Sequence, residues 1–178
     1  MNVPNMLTIL RVILIPFFVV FMLFDITFAD NYIALAIFVV ASLTDMLDGY
    51  LARKKNQVTN FGKFMDPLAD KLLVCTALIC LMELDRLPCL VVIIIIAREF
   101  IISGFRLVAS DNGIVIAASW WGKSKTISQM IMIIVLILDF GERFAVVENV
   151  LIYLALILTV VSLIDYILKN KQVLSMQD

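Results

Sequence analysis

The chain has 178 residues, of which 63% are hydrophobic and 16% charged. That balance excludes an ordinary soluble globule, whose sequence is about half apolar, and makes lipid the natural solvent. A net charge of −1 and the absence of histidine exclude a nucleic-acid binder, which carries a basic excess on one face, and every mechanism built on histidine, from a Ser-His nucleophile to His-ligated zinc.

Spanning a hydrocarbon core about 30 Å thick takes about twenty helical residues, and six segments qualify. The first, residues 6–24, follows a short juxtamembrane segment that lacks a basic region and a small-residue cleavage site, so it is expected to stay as an anchor rather than be removed. Pro16 within it predicts a kink. The second, 31–53, ends in a polar cluster of Asp45, Asp48, Gly49, Ala52 and Arg53, and the third, 62–82, opens with Gly62, Asp66 and Asp70. The fourth, 88–110, carries Arg98, Glu99 and Arg106. The fifth, 123–140, begins at Lys123 and Lys125, and the sixth covers 146–168. Asp139 and Asp165 lie near span ends and are expected to face water.

The predicted fold is therefore all-α, a polytopic membrane protein of six transmembrane helices forming one domain over residues 1–178. Cys75, Cys80 and Cys89 form no Cys-x-x-Cys pair and read as small hydrophobes. Basic residues flanking spans mark the cytoplasmic side. Arg53, Lys54, Lys55, Lys63, Lys123, Lys125, Lys169 and Lys171 gather on one side, whereas Asp25, Asp30, Glu83, Asp85, Glu142 and Glu148 dominate the other. Both termini and the acid clusters are thus expected at the cytoplasmic face of the cell membrane.

A carboxylate at membrane depth is costly unless paired, hydrated or functional. Asp45 and Asp48 share one face of the second span, with Ala52 between them, and Asp66 and Asp70 stack about 6 Å apart along the axis of the third. A short connection makes these spans antiparallel neighbours, so four carboxylates converge. Their mutual repulsion asks for a divalent cation, and an oxygen-only ligand set selects magnesium or manganese.

Written out, Asp45-x-x-Asp48-Gly49-x-x-Ala52-Arg53, then eight residues, then Gly62-x-x-x-Asp66-x-x-x-Asp70 resembles the complete signature of the CDP-alcohol phosphatidyltransferase family. The resemblance implies that Asp45, Asp48 and Asp66 ligate one ion, that Asp70 completes a second site and acts as the base, and that two ions are bound. It further implies that Asp48, Gly49, Ala52, Arg53, Gly62 and Asp66 line the CDP pocket. Asn2-x-Pro4-Asn5-x-Leu7-Thr8-x-x-Arg11, the stretch from Gly62 to Lys71, Ala97-Arg98-Glu99-Phe100 with Gly104-x-Arg106, and Gly122-Lys123-x-Lys125-Thr126 resemble the phosphatidylglycerophosphate synthase branch of that family in bacteria. That branch implies CDP-diacylglycerol as donor, glycerol 3-phosphate as acceptor, membrane lipids as surroundings and a homodimer.

A dianionic acceptor needs cations, and Arg98, Arg106 and Lys125 are assigned to its phosphate, with Glu99 as the competing structural partner of Arg98. Thr8, Arg11 and Lys123 are secondary candidates, since an arginine near a span end ordinarily snorkels to headgroups. Two other readings stay open. One is a sibling transferase using inositol phosphate, serine or phosphatidylglycerol. The other is a small ion or proton transporter, against which stand the lack of paired halves and the clustering of acids at one face.

Overall fold

The computed structural model describes residues 3–54, 60–111, 113–114, 116–117 and 119–171, with side chains for all of these except 3–5, 45–54 and 60–67. Among the described residues six long helices follow one another: α1 (Val3–Leu23), α2 (Asp30–Lys54), α3 (Asn60–Glu83), α4 (Cys89–Asp111), α5 (Trp120–Leu138) and α6 (Ala145–Lys169). A 3-10 turn, Glu142–Phe144, leads into α6. Among the described residues there is no strand. Helices are the economical answer for apolar sequence in lipid, because each satisfies its own backbone polar groups.

Among the described residues, three stretches are long and apolar enough to cross a membrane: Met6–Leu23, Trp120–Leu138 and Glu142–Lys169. The part of α2 whose side chains are described, Asp30–Thr44, is apolar and shorter. Large apolar side chains such as Phe17, Ile93, Tyr153 and Ile157 point outward, as lipid-facing residues do.

The chain divides into two compact units. The first comprises Met1–Arg86 with Ile137–Asp139. Here α1 packs broadly against α2 and also against α3, whereas α2 and α3 touch each other over a smaller area. The buried stripe of α1 runs Thr8, Arg11, Ile15, Phe18, Met22, a three-four spacing that keeps one face toward its partners. Phe18 meets Phe38 with ring centroids 6.0 Å apart, and the buried Ala34, Ala41 and Ala77 let helices approach closely. At the far end Arg86 pairs with Asp139 at 2.8 Å.

The second unit comprises Leu87–Leu136 and Phe140–Asp178. Its α4 packs on α6 through Val91, Val92, Ile95, Arg98, Ile102 and Ala109 on one side and Ile152, Ala155, Thr159, Ser162 and Tyr166 on the other. Phe105 and Tyr166 meet edge to face, centroids 6.2 Å apart.

Several expectations shift. Helix α1 begins at Val3, so the short segment before the apolar stretch Met6–Leu23 is itself helical from that residue on, and Pro16 lies inside the helix. Helix α5 begins at Trp120, three residues before the expected start, because the Ser119 side chain caps it, its Oγ accepting the Gly122 N–H at 3.1 Å. An N-cap serine satisfies a donor that has no partner inside the helix. At its other end α5 stops at Leu138, and Asp139 takes a positive φ of 47°. Asp165 does not face water: its side chain is 17% exposed and paired with Lys169 at 2.7 Å, one turn on.

Candidate active site

The acid signature is carried by α2 and α3. Asp45 and Asp48 fall in the last three turns of α2, Asp66 and Asp70 in the first three turns of α3, and only residues 55–59 separate the helices. Both helices lie against α1, so the turns that carry the acids belong to one packed unit. The Asp70 side chain is partly buried, next to the buried Ala69 and about one turn before the buried Leu73. The side chains of Asp45, Asp48, Gly49, Ala52, Arg53, Gly62 and Asp66 lie outside the described residues. Among the described residues no three acidic, thiol or imidazole groups converge as a metal site. The fit to a metal is therefore one of donor chemistry. Four carboxylates and no softer ligand, placed on consecutive helices in contact, suit a hard divalent cation.

The same unit holds two of the secondary candidates. Thr8 is 1% and Arg11 0% exposed, so the snorkelling explanation for Arg11 fails. Its Nε donates to the Ala41 carbonyl across the α1–α2 contact at 3.1 Å, and the Thr44 hydroxyl donates to the same oxygen at 2.6 Å.

The second unit assembles the basic residues. Arg98, in the middle of α4, is buried at 8% exposure, and Lys125, in the second turn of α5, at 1%. Glu99 stands between them: Arg98 Nη1 donates to Glu99 Oε1 at 3.3 Å, and Lys125 Nζ donates to the same oxygen. Arg98 Nε also donates to Ser162 Oγ on α6 at 3.2 Å. A Cβ placed on Gly122 would lie 3.6 Å from Arg98 Nη2, so the guanidinium reaches the first turn of α5. Two buried cations thus sit at the positive end of a helix dipole, where backbone N–H groups without helical acceptors point outward. Such an arrangement can hold an anion with oxygen acceptors, and the planar guanidinium suits a phosphate.

Arg106 lies two turns beyond Arg98 on α4 and is exposed, and Lys123 is exposed at the start of α5. The structure therefore brings Arg98 and Lys125 together through Glu99 and leaves Arg106 and Lys123 open to their surroundings. The sequence reading missed Ser162. Its signal was the spacing of Thr159, Ser162 and Tyr166, a polar stripe with helical period in an apolar span.

The sequence pattern of the CDP-alcohol phosphatidyltransferase family matches residues 1–161. The chain is 45% identical to the Bacillus subtilis CDP-diacylglycerol--glycerol-3-phosphate 3-phosphatidyltransferase, with 97% of each chain covered. It is 44% identical to the protein of the same description from Haemophilus influenzae, over 93% of this chain and 91% of that one. It is 39% identical to a Mycobacterium tuberculosis protein described as a probable phosphatidylglycerophosphate synthase, over 93% of this chain and 80% of that one.

Proposed function

Because the chain belongs to the CDP-alcohol phosphatidyltransferase family, we propose that it transfers the phosphatidyl group of CDP-diacylglycerol to sn-glycerol 3-phosphate, releasing CMP. The names of its similar relatives support the reaction class and the acceptor. The observation that carries the acceptor assignment is the buried pair Arg98 and Lys125 at the N-terminal end of α5. A neutral acceptor such as serine needs no such cations, whereas a phosphate dianion does.

Asp45, Asp48 and Asp66 hold one divalent ion, magnesium or manganese, and Asp70 completes the site of a second. When bound, such ions neutralise the diphosphate and stabilise the leaving CMP. Gly49, Ala52, Arg53 and Gly62 line the nucleotide pocket together with Asp48 and Asp66, the two glycines removing side chains where the nucleotide lies. Arg98 and Lys125 fix the acceptor's phosphate, with Arg106 contributing charge from the next turns of α4. Asp70 takes the proton from the acceptor's 1-hydroxyl. That oxygen bonds to the lipid-side phosphorus as the phosphorus–oxygen bond to CMP breaks. Nothing covalent is asked of the protein, so positioning and electrostatics supply the rate.

All six helices cross the membrane in this reading, with both termini and the acids at the cytoplasmic face of the cell membrane. The excess of lysine and arginine after α2, before α5 and after α6 supports it. The protein works as a homodimer among membrane lipids, which cross-linking in native membranes tests.

The deciding experiment supplies membranes containing the protein with CDP-diacylglycerol and a panel of labelled acceptors. Glycerol 3-phosphate should enter lipid, with CMP released in equal amount. Labelling by inositol phosphate, serine or phosphatidylglycerol instead would move the chain to a sibling activity, and no labelling at all would leave the transporter.

A further inference from the structure

We propose that Arg11 is a positioning residue for this reaction: from α1 it locks the register of the α2 turn that carries Asp45. The inference rests on the metal-assisted reading above and adds to it a residue outside the acid signature.

Three observations converge on it. Arg11 is fully buried, one of the largest side chains in the molecule to be so. Its Nε reaches across to α2 and donates to the Ala41 carbonyl at 3.1 Å. Helix α1 packs against both helices that bear the acids, so a fixed bond from α1 to α2 acts on one of two helices that share its support.

The choice of acceptor is what makes the bond specific. In an α-helix the carbonyl of residue 41 is the ladder acceptor for the N–H of residue 45, four positions on. Ala41 and Asp45 stand about 6 Å apart along the axis. The Ala41 oxygen already serves the ladder and accepts from the Thr44 hydroxyl at 2.6 Å, so it has no need of a guanidinium for its own satisfaction. Apolar packing has no need of one either: the neighbours along the α1 stripe, Ile15, Phe18 and Met22, bury their face without charge. A buried guanidinium at membrane depth is expensive, and its directional bond to the Ala41 carbonyl fixes the rotation and height of the acid-bearing turn relative to α1. Arg supplies directional donors that Lys does not, which predicts that the two will differ here.

The test compares wild type with Arg11→Met, which keeps length and removes the donors, and Arg11→Lys, which keeps the charge and loses the fork. Turnover is followed against magnesium concentration, and KM is measured for both substrates. Residues that orient metal ligands typically alter metal affinity by about 10–100-fold when replaced. Arg11→Met should therefore raise the magnesium concentration for half activation by about tenfold or more, with KM for glycerol 3-phosphate unchanged and with Arg11→Lys between the two. A purely structural role would lower the amount of folded enzyme and leave that concentration where it was, which overturns the proposal. A raised KM for glycerol 3-phosphate with unchanged metal activation overturns it as well, making Arg11 an acceptor ligand. If Arg11→Met does not accumulate, Arg11→Lys decides alone, by a shifted or an unshifted magnesium dependence. A wild-type enzyme fully active in chelator is a separate result: it removes the metal reading, and this inference with it.

Discussion

Glu99 is shared by two buried cations, accepting from Arg98 and from Lys125 at one oxygen. The trio carries one net positive charge, so on the proposed reading a phosphate would meet cations that Glu99 already holds in place. Removing the shared acid leaves two cations facing each other, and breaking a buried ion pair in this way costs about 3–5 kcal/mol. Glu99→Ala should therefore melt at a lower temperature in detergent than wild type. Arg98→Lys should raise KM for glycerol 3-phosphate about tenfold while leaving that for CDP-diacylglycerol alone, since a charge-assisted bond to a phosphate is worth about 1.5–3 kcal/mol. An equal rise in both constants would assign Arg98 to packing. Asp70→Asn keeps the shape and removes the base, so turnover should fall by about 10²–10⁴ in protein that still inserts. The acids stand out in the sequence as candidates because a carboxylate in an apolar run is conspicuous by cost alone, and so does Arg98. Ser162 is marked only by its helical spacing with Thr159 and Tyr166, because a serine is cheap to bury in a helix and its partner lies 64 positions away.

At the scale of elements, the turn before α2 is tied by one side chain. The Asp30 carboxylate accepts from the Thr27 hydroxyl at 2.6 Å, the Thr27 N–H at 2.9 Å and the Ile26 N–H at 2.6 Å. The side-chain bond from Thr27 leads in holding its pKa below the ordinary aspartate value, with the backbone bonds adding to it. A carboxyl whose folded pKa is depressed contributes above its unfolded value and loses that contribution as pH falls through the lower folded one. The turn should hold throughout neutral and mildly acidic conditions and loosen only below the usual aspartate range. Asp30→Asn should speed amide exchange at Ile26 and Thr27 at neutral pH without changing exchange within α2; unchanged exchange at those two amides would show the turn held by other means. Helix existence was legible throughout, since long apolar runs leave few alternatives in lipid. Helix ends were less so. Gly122 reads as a loop residue, yet the Ser119 cap recruits it into the first turn of α5, and the positive φ of Asp139 marks a stop that its charge alone does not locate.

For the molecule as a whole, metal and orientation can be tested directly. EDTA should abolish turnover, and magnesium or manganese should restore it, because four carboxylates without a cation repel one another; full activity in chelator would reject the metal. Cys89, at the start of α4, is exposed, whereas Cys75 and Cys80 are buried. An accessible thiol reacts where a buried one is inert, so a membrane-impermeant maleimide applied to intact spheroplasts should label Cys89 only. Labelling that appears only after lysis would reverse the assigned orientation. The shared support of the acid-bearing helices by α1 also bears on biogenesis. Because α1 precedes α2 and α3 in the chain, it is made before them and can serve as the surface onto which each docks on release. A shortened N-terminus would then cost the enzyme its activity during synthesis, although every signature residue were still translated.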